Sequence, residues 1–89
     1  MPAQLQRNQW WLHHMNGEPA VLFHIDKVEV DEAGVSWVTY MRYMGGKPPQ
    51  CSRLKETELA IITESQRTRQ VPDAAEISKL LMLWGNFGG

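Results

Sequence analysis

The sequence predicts a mainly β domain, a small, partly open, five-stranded antiparallel barrel with one C-terminal helix packed on it. Three observations carry this expectation. Short β-branched and aromatic runs recur about every ten residues. Asn-Gly and Gly-containing turn signals separate them, and one stretch of helical spacing follows a start signature near the C-terminus.

The 89 residues have room for one domain. Residues 1–8 are polar and carry Pro2, and are expected as a flexible lead-in. The first strand is expected at 9–15, where Gln9 to Met15 is rich in aromatic rings. Asn16-Gly17 then favours the positive φ angles of a tight hairpin. The second strand is expected at 20–30. Its apolar residues keep one parity through Val21, Phe23 and Ile25 and the other through Val28 and Val30, so the strand must bulge or bend near Asp26-Lys27.

Asp31-Glu32-Ala33-Gly34 reads as a type I turn closed by a left-handed glycine. The third strand, 35–43, places Val35, Trp37, Thr39, Met41 and Tyr43 on one face and Ser36, Val38, Tyr40 and Arg42 on the other. Two glycines and two prolines make residues 44–50 a loop, before a short strand at 50–54. Lys55 to Glu58 reads as one tight turn, and the apolar run Leu59 to Thr63 as the closing strand, 59–63.

Residues 64–72 lack apolar periodicity and are expected as a linker. A helix is expected at 73–84, with Asp73 as cap and Glu76 reaching back to it. Ile77, Leu80, Leu81 and Trp84 form its apolar stripe, Gly85 ends it, and 85–89 is expected as a flexible tail. So short a helix must dock to persist. The barrel at 9–63 and the helix belong to one domain, whose core is expected to hold Val21, Phe23, Ile25, Val38, Leu59 and Ile61 or their immediate neighbours.

This strand pattern points to the SH3-like kind of small barrel. Residues Asn16 to Leu22, Gly34-Val35-Ser36-Trp37 and Leu54 to Leu59 resemble short, uncharacterised bacterial and phage SH3-like β-barrel proteins, over about residues 16–62. The Trp-rich first strand and the C-terminal helix depart from that family. The resemblance implies the fold. Small size also resembles phage or prophage accessory proteins and inhibitors that bind a host protein.

Composition narrows the function. A formal charge of −1 argues against non-specific coating of phosphate backbones. A single cysteine, Cys51, and no apolar run of membrane-spanning length suggest a cytoplasmic protein without a membrane partner. His13, His14, His24 and Cys51 lack metal-ligand spacing, so no metal or cofactor is expected. A Cys51–His24 nucleophilic pair would need a cleft that so small a barrel seldom encloses, and no enzyme is expected. Asp26, Glu29, Asp31 and Glu32 read as a solvated acidic turn.

Large rings are more numerous than one small core needs. Trp10, Trp11, Trp37, Tyr40, Tyr43 and Trp84 are therefore the candidate protein-binding residues, although the helix could cover some of them. The expected function is a non-catalytic protein-interaction module, with a homodimer through the helix stripe or an open barrel edge as a further possibility. The alternative is a nucleic-acid-binding barrel using Tyr40, Arg42, Tyr43, Lys47, Arg53 and Lys55, rings stacking on bases and cations following phosphates.

Overall fold

In the computed structural model, which describes residues 5–85, the chain runs through β1 (Trp10–Met15), β2 (Glu18–Val30), β3 (Ser36–Met44), β4 (Gln50–Lys55), α1 (Glu56–Thr63), β5 (Thr68–Gln70) and α2 (Ala74–Leu83). The strands form one antiparallel sheet of order β4-β3-β2-β1-β5. β4 and β5 stand at its edges and do not pair with each other, so the sheet is not closed.

The hairpins follow their turn residues. Asn16 and Gly17, at φ 55° and 79°, make a two-residue turn closed by the Met15–Glu18 pair. At the second hairpin the Gly34 amide donates to the Asp31 carbonyl and the Asp31 amide to the Val35 carbonyl, both at 3.0 Å. Gly34 takes the left-handed conformation there, at φ 82°.

Along β2 and β3 the register pairs Ile25 with Tyr40 and then Lys27 with Thr39, leaving Asp26 as the extra residue of a bulge. The expected switch of parity is therefore present. Before the bulge, Val21, Phe23 and Ile25 enter the main core; after it, Val28 packs against that core opposite Val38. We call this face of the sheet inner. Its cluster joins Leu5, Trp11, Val21, Phe23, Ile25, Val38, Tyr40 and Leu59.

The expected closing strand at 59–63 is instead most of α1, and the expected turn at 55–58 holds its first residues. Helical spacing sends Leu59, Ile62 and Thr63 inward and leaves Ile61 75% exposed, so Ile61 is not a core residue. Glu56 and Glu58 in the first turn favour the helix by complementing its dipole. The fifth strand lies in the expected linker: Thr68–Gln70 pairs with Leu12 and its neighbours on β1. The Val71 amide extends this ladder to the Trp10 carbonyl at 2.8 Å.

The expected flexible lead-in is also corrected where it is described. Leu5 is buried in the inner core, and the Asn8 amide donates to the Ile25 carbonyl at 2.8 Å. Four lead-in residues, 1–4, and most of the expected tail, 86–89, lie outside the described residues.

α2 docks on the opposite, outer face. Ile77 is buried with Leu12, Leu22 and Val71, and Leu80, Leu81 and Trp84 pack around them with Trp10 and Tyr43. The Asp73 carboxylate caps the helix by accepting from the Ala75 amide at 2.9 Å. Glu76 does not reach back to the cap as expected. It pairs with Arg69 and ties the helix to β5. Gly85 follows the helix at φ 73°.

Replacing Leu59 by Ala is expected to cost about 3–5 kcal/mol, because the side chain is fully buried. Ile61→Ala should change stability by less than about 0.5 kcal/mol. Urea unfolding of the two variants separates the helix from a strand, in which both side chains would point to the same face.

Candidate functional site

The outer face of the sheet is divided by what covers it. Cross-strand partners set Leu12, Leu22 and Tyr43 in one row and Trp10, His24, Met41 and Cys51 in the next. Beyond the bulge come Lys27, Thr39 and Arg53, and then Glu29, Trp37 and Lys55. α2 packs with the first row and with Trp10. The two rows beyond the bulge have no helix of the described chain over them.

Trp37 is the centre of that open half. Its indole Nε1 donates to Asp31 Oδ2 at 2.8 Å, while Asp31 Oδ1 accepts from the Ala33 and Val35 amides at 2.9 Å each. One carboxylate thus holds the hairpin and the ring together. These hydrogen bonds, that from Trp37 first and that from Val35 next, hold the Asp31 carboxyl below the usual carboxylate range. The Arg53 guanidinium lies 4.3 Å from the Trp37 ring centre and the Lys55 ammonium 5.9 Å from it, on the face where the quadrupole attracts cations. Beside them Lys27 and Glu29 form an ion pair at 2.7 Å, whose hydrogen bond raises the Lys27 pKa and lowers that of Glu29.

The candidate aromatics are distributed over three environments. Trp11 and Tyr40 are buried in the inner core, where Tyr40 meets Phe23 edge to face at 5.6 Å. Trp10, Tyr43 and Trp84 belong to the cluster around α2, and Trp10 stacks on Tyr43 at 5.7 Å. A side chain on Gly45 would meet the Trp84 ring at 3.3 Å, so the bare backbone there lets the indole lie close to the β3–β4 loop. Of the six, Trp37 alone stands on the open half of the outer face.

The six residues of the nucleic-acid reading are also separated. Tyr40 is 4% exposed and Tyr43 is engaged by Trp10, so neither ring is presented for stacking on a base. Arg42 shares the inner face with Tyr40 and donates to Gln50. Lys47 lies on the β3–β4 loop, and Arg53 and Lys55 stand on the opposite face from Arg42. Charge and ring alternate in sequence, but the strand sends them to two sides.

Nothing among the described residues assembles a metal site of three or more ligating side chains. Cys51 and His24 share the outer face but stand two strands apart, about 10 Å at ordinary strand spacing. Shallow clefts among the described residues include the following pair. One, of about 360 Å³, is lined by His14, Asn16, Gly17, Gln66 and Arg67; the other, of about 340 Å³, by Glu18, Pro19, Leu80, Leu83 and Trp84. No helix of the described chain is long and apolar enough to cross a membrane.

Sequence reasoning missed Asp31 as the clamp of Trp37. Its signal was present, since an Asp opening a tight turn bonds the backbone just beyond it, and the paired strand brings the indole back across that turn. The place of His24 beneath Trp10 was also missed. The rings stack at 4.1 Å and 15°, and burial lowers the imidazole pKa against the opposing pull of Asp26.

That shift has a definite consequence. Unfolding releases an imidazole with a pKa near its free value of about 6.5, which takes up a proton that the folded state resists. Stability is therefore expected to fall as pH drops through about 6.5 toward the lowered value, and to be insensitive to His24 well above it. Thermal unfolding between about pH 7.5 and 5.5 should show this loss, and His24→Phe, which keeps a ring against Trp10, should reduce it.

No protein-family model, no curated protein and no solved structure matches this chain.

Proposed function

We propose that this chain is a non-catalytic protein-interaction module that docks its partner on the open half of the outer face, around Trp37, Arg53 and Lys55. The observation that carries the reading is an indole fixed at its N–H by Asp31, flanked by a guanidinium, and covered by no helix among the described residues. Trp and Arg contribute disproportionately to binding at protein interfaces. A ring already held in place loses little freedom when a partner arrives.

Charge layout favours a protein over a nucleic acid as that partner. Lys27, Arg53 and Lys55 are interspersed with Glu29 and Asp31, so a phosphate backbone crossing this face would meet carboxylates beside the cations. A mixed field of this kind suits a protein surface with its own alternating charges. The fold is read in the same proposal as an SH3-like small barrel, supported by the strand order and the bulged β2. A small accessory or inhibitory protein of phage type, acting on a host protein, is the setting that this reading suits.

The test compares affinity capture by the wild-type chain with capture by Trp37→Ala and Arg53→Glu. A specific partner retained by the wild type should be lost with either variant, while far-ultraviolet circular dichroism stays unchanged. Capture that survives both substitutions overturns the reading. Short oligonucleotides should give no gel shift at about tens of micromolar protein, near the weak end of non-specific affinities. A shift abolished by Arg53→Ala with Lys55→Ala would replace the protein partner by a nucleic acid.

A further inference from the structure

We infer that the free edge of β4 receives an extended segment of the partner as an added antiparallel strand, and that this segment alternates acidic and apolar residues. The inference rests on the protein-interaction reading above and names the partner's chemistry. β4 is an edge strand of six residues whose only pairing among the described residues is with β3. Alternate residues of such a strand direct N–H and C=O groups away from the sheet, which an extended peptide satisfies by continuing the ladder. Pro48 and Pro49 bound the edge on one side and α1 on the other, so the window is Gln50–Lys55, about 20 Å long.

The side chains along this window specify what pairs with it. Cys51, Arg53 and Lys55 share the outer face with Trp37, and the strand itself contains no carboxylate. Opposite charges directly across a strand pair are favourable and like charges unfavourable. The added strand therefore needs Asp or Glu two residues apart on its outer face. Between them its residues turn to the inner side, beside Ser52 and Leu54, and Leu54 packs on the edge of the inner core. An apolar residue there extends that core.

The same rule disfavours a second copy of this chain in the register centred on Arg53. A two-fold pairing of β4 with itself, centred on Arg53, places Arg53 opposite Arg53 and Cys51 opposite Lys55. Two guanidinium groups would then meet across the new ladder. A segment with the opposite charge avoids this.

The experiment uses a fluorescent peptide with an acidic-apolar-acidic centre and its counterpart in which Lys replaces each acid. Anisotropy should show saturable binding of the acidic peptide, no binding of the basic one, and at least tenfold weaker binding to Arg53→Glu. Amide exchange of residues 50–55 should slow in the complex. Two N-methylated forms of the acidic peptide leave the protein unaltered. Methylation of the amides that face β4 should abolish binding, whereas methylation of the alternate amides should preserve it. Equal binding of both methylated forms, unchanged exchange in β4, or equal binding of the acidic and basic peptides overturns the inference. If these peptides fail while capture of a partner still depends on Trp37, edge addition is wrong and the interaction module stands. If capture is also independent of Trp37, both fall. Self-association that depends on Arg53 would replace the acidic segment by a second copy.

Discussion

Between Ile25 and Lys27 the ladder of β2 on β3 gains one residue, Asp26, and the arrangement of both sheet faces depends on that slip. A strand of thirteen residues with strict alternation would carry the parity of Val21, Phe23 and Ile25 to its end. Val28 would then leave the core, and Lys27 and Glu29 would be driven into it at the desolvation cost of buried charge. The bulge instead keeps Val28 beside Val38 and packed against the inner core. It also places Glu29 beside Trp37 on the outer face. One unpaired residue thus preserves the core and sets the charges around the open surface.

The two helices answer different needs of the open sheet. α1 connects β4 to β5, the two edges, and buries Leu59 in the inner cluster. A strand in the same place would have continued the ladder and exposed alternate residues to solvent. α2 covers part of the outer face, where Leu12 and Leu22 would otherwise be exposed. Its grip is concentrated at Ile77, its one buried residue, with the Asp73 cap and the Arg69–Glu76 pair at its N-terminal end. Met82 and Leu83 remain exposed on its far side. The surplus rings of the sequence are therefore mostly structural: Trp11 and Tyr40 inside, and Trp10, Tyr43 and Trp84 beneath or within the helix contact.

Legibility in the sequence followed the range of the signal. Asn16-Gly17, Asp31 with Gly34, the parity switch at Asp26 and the stripe of α2 are written within a few residues each, and the structure has all of them. α1 was misread because Leu59-Ala60-Ile61-Ile62 satisfies the composition of a strand, and only the Leu59, Ile62 and Thr63 spacing marks the helix. β5 was missed for the opposite reason. Thr68-Arg69-Gln70 has no apolar alternation, because a short edge strand is held by its backbone bonds to β1 rather than by buried side chains. Leu5 was lost among polar neighbours. The candidate site was half legible: Trp37, Arg53 and Lys55 were named, but their separation from Tyr40 and Arg42 depends on strand faces paired over a distance in sequence.

The open half of the outer face is a consequence of where the apolar residues run out. From Leu12 and Leu22 toward Glu29 and Lys55, the rows across the sheet change from aliphatic to charged, and α2 follows the aliphatic end. Extending the helix over Trp37 would require Lys27, Glu29, Arg53 and Lys55 to shed water, a loss that exposed ion pairs do not recover. The ring is left at the boundary between these regimes. Asp31 satisfies its N–H, Arg53 lies against its face, and β4 beside it is an edge of the sheet, paired among the described residues with β3 alone. Indole, guanidinium and open strand edge are thus contiguous at the charged end of the sheet, away from the rows that α2 covers.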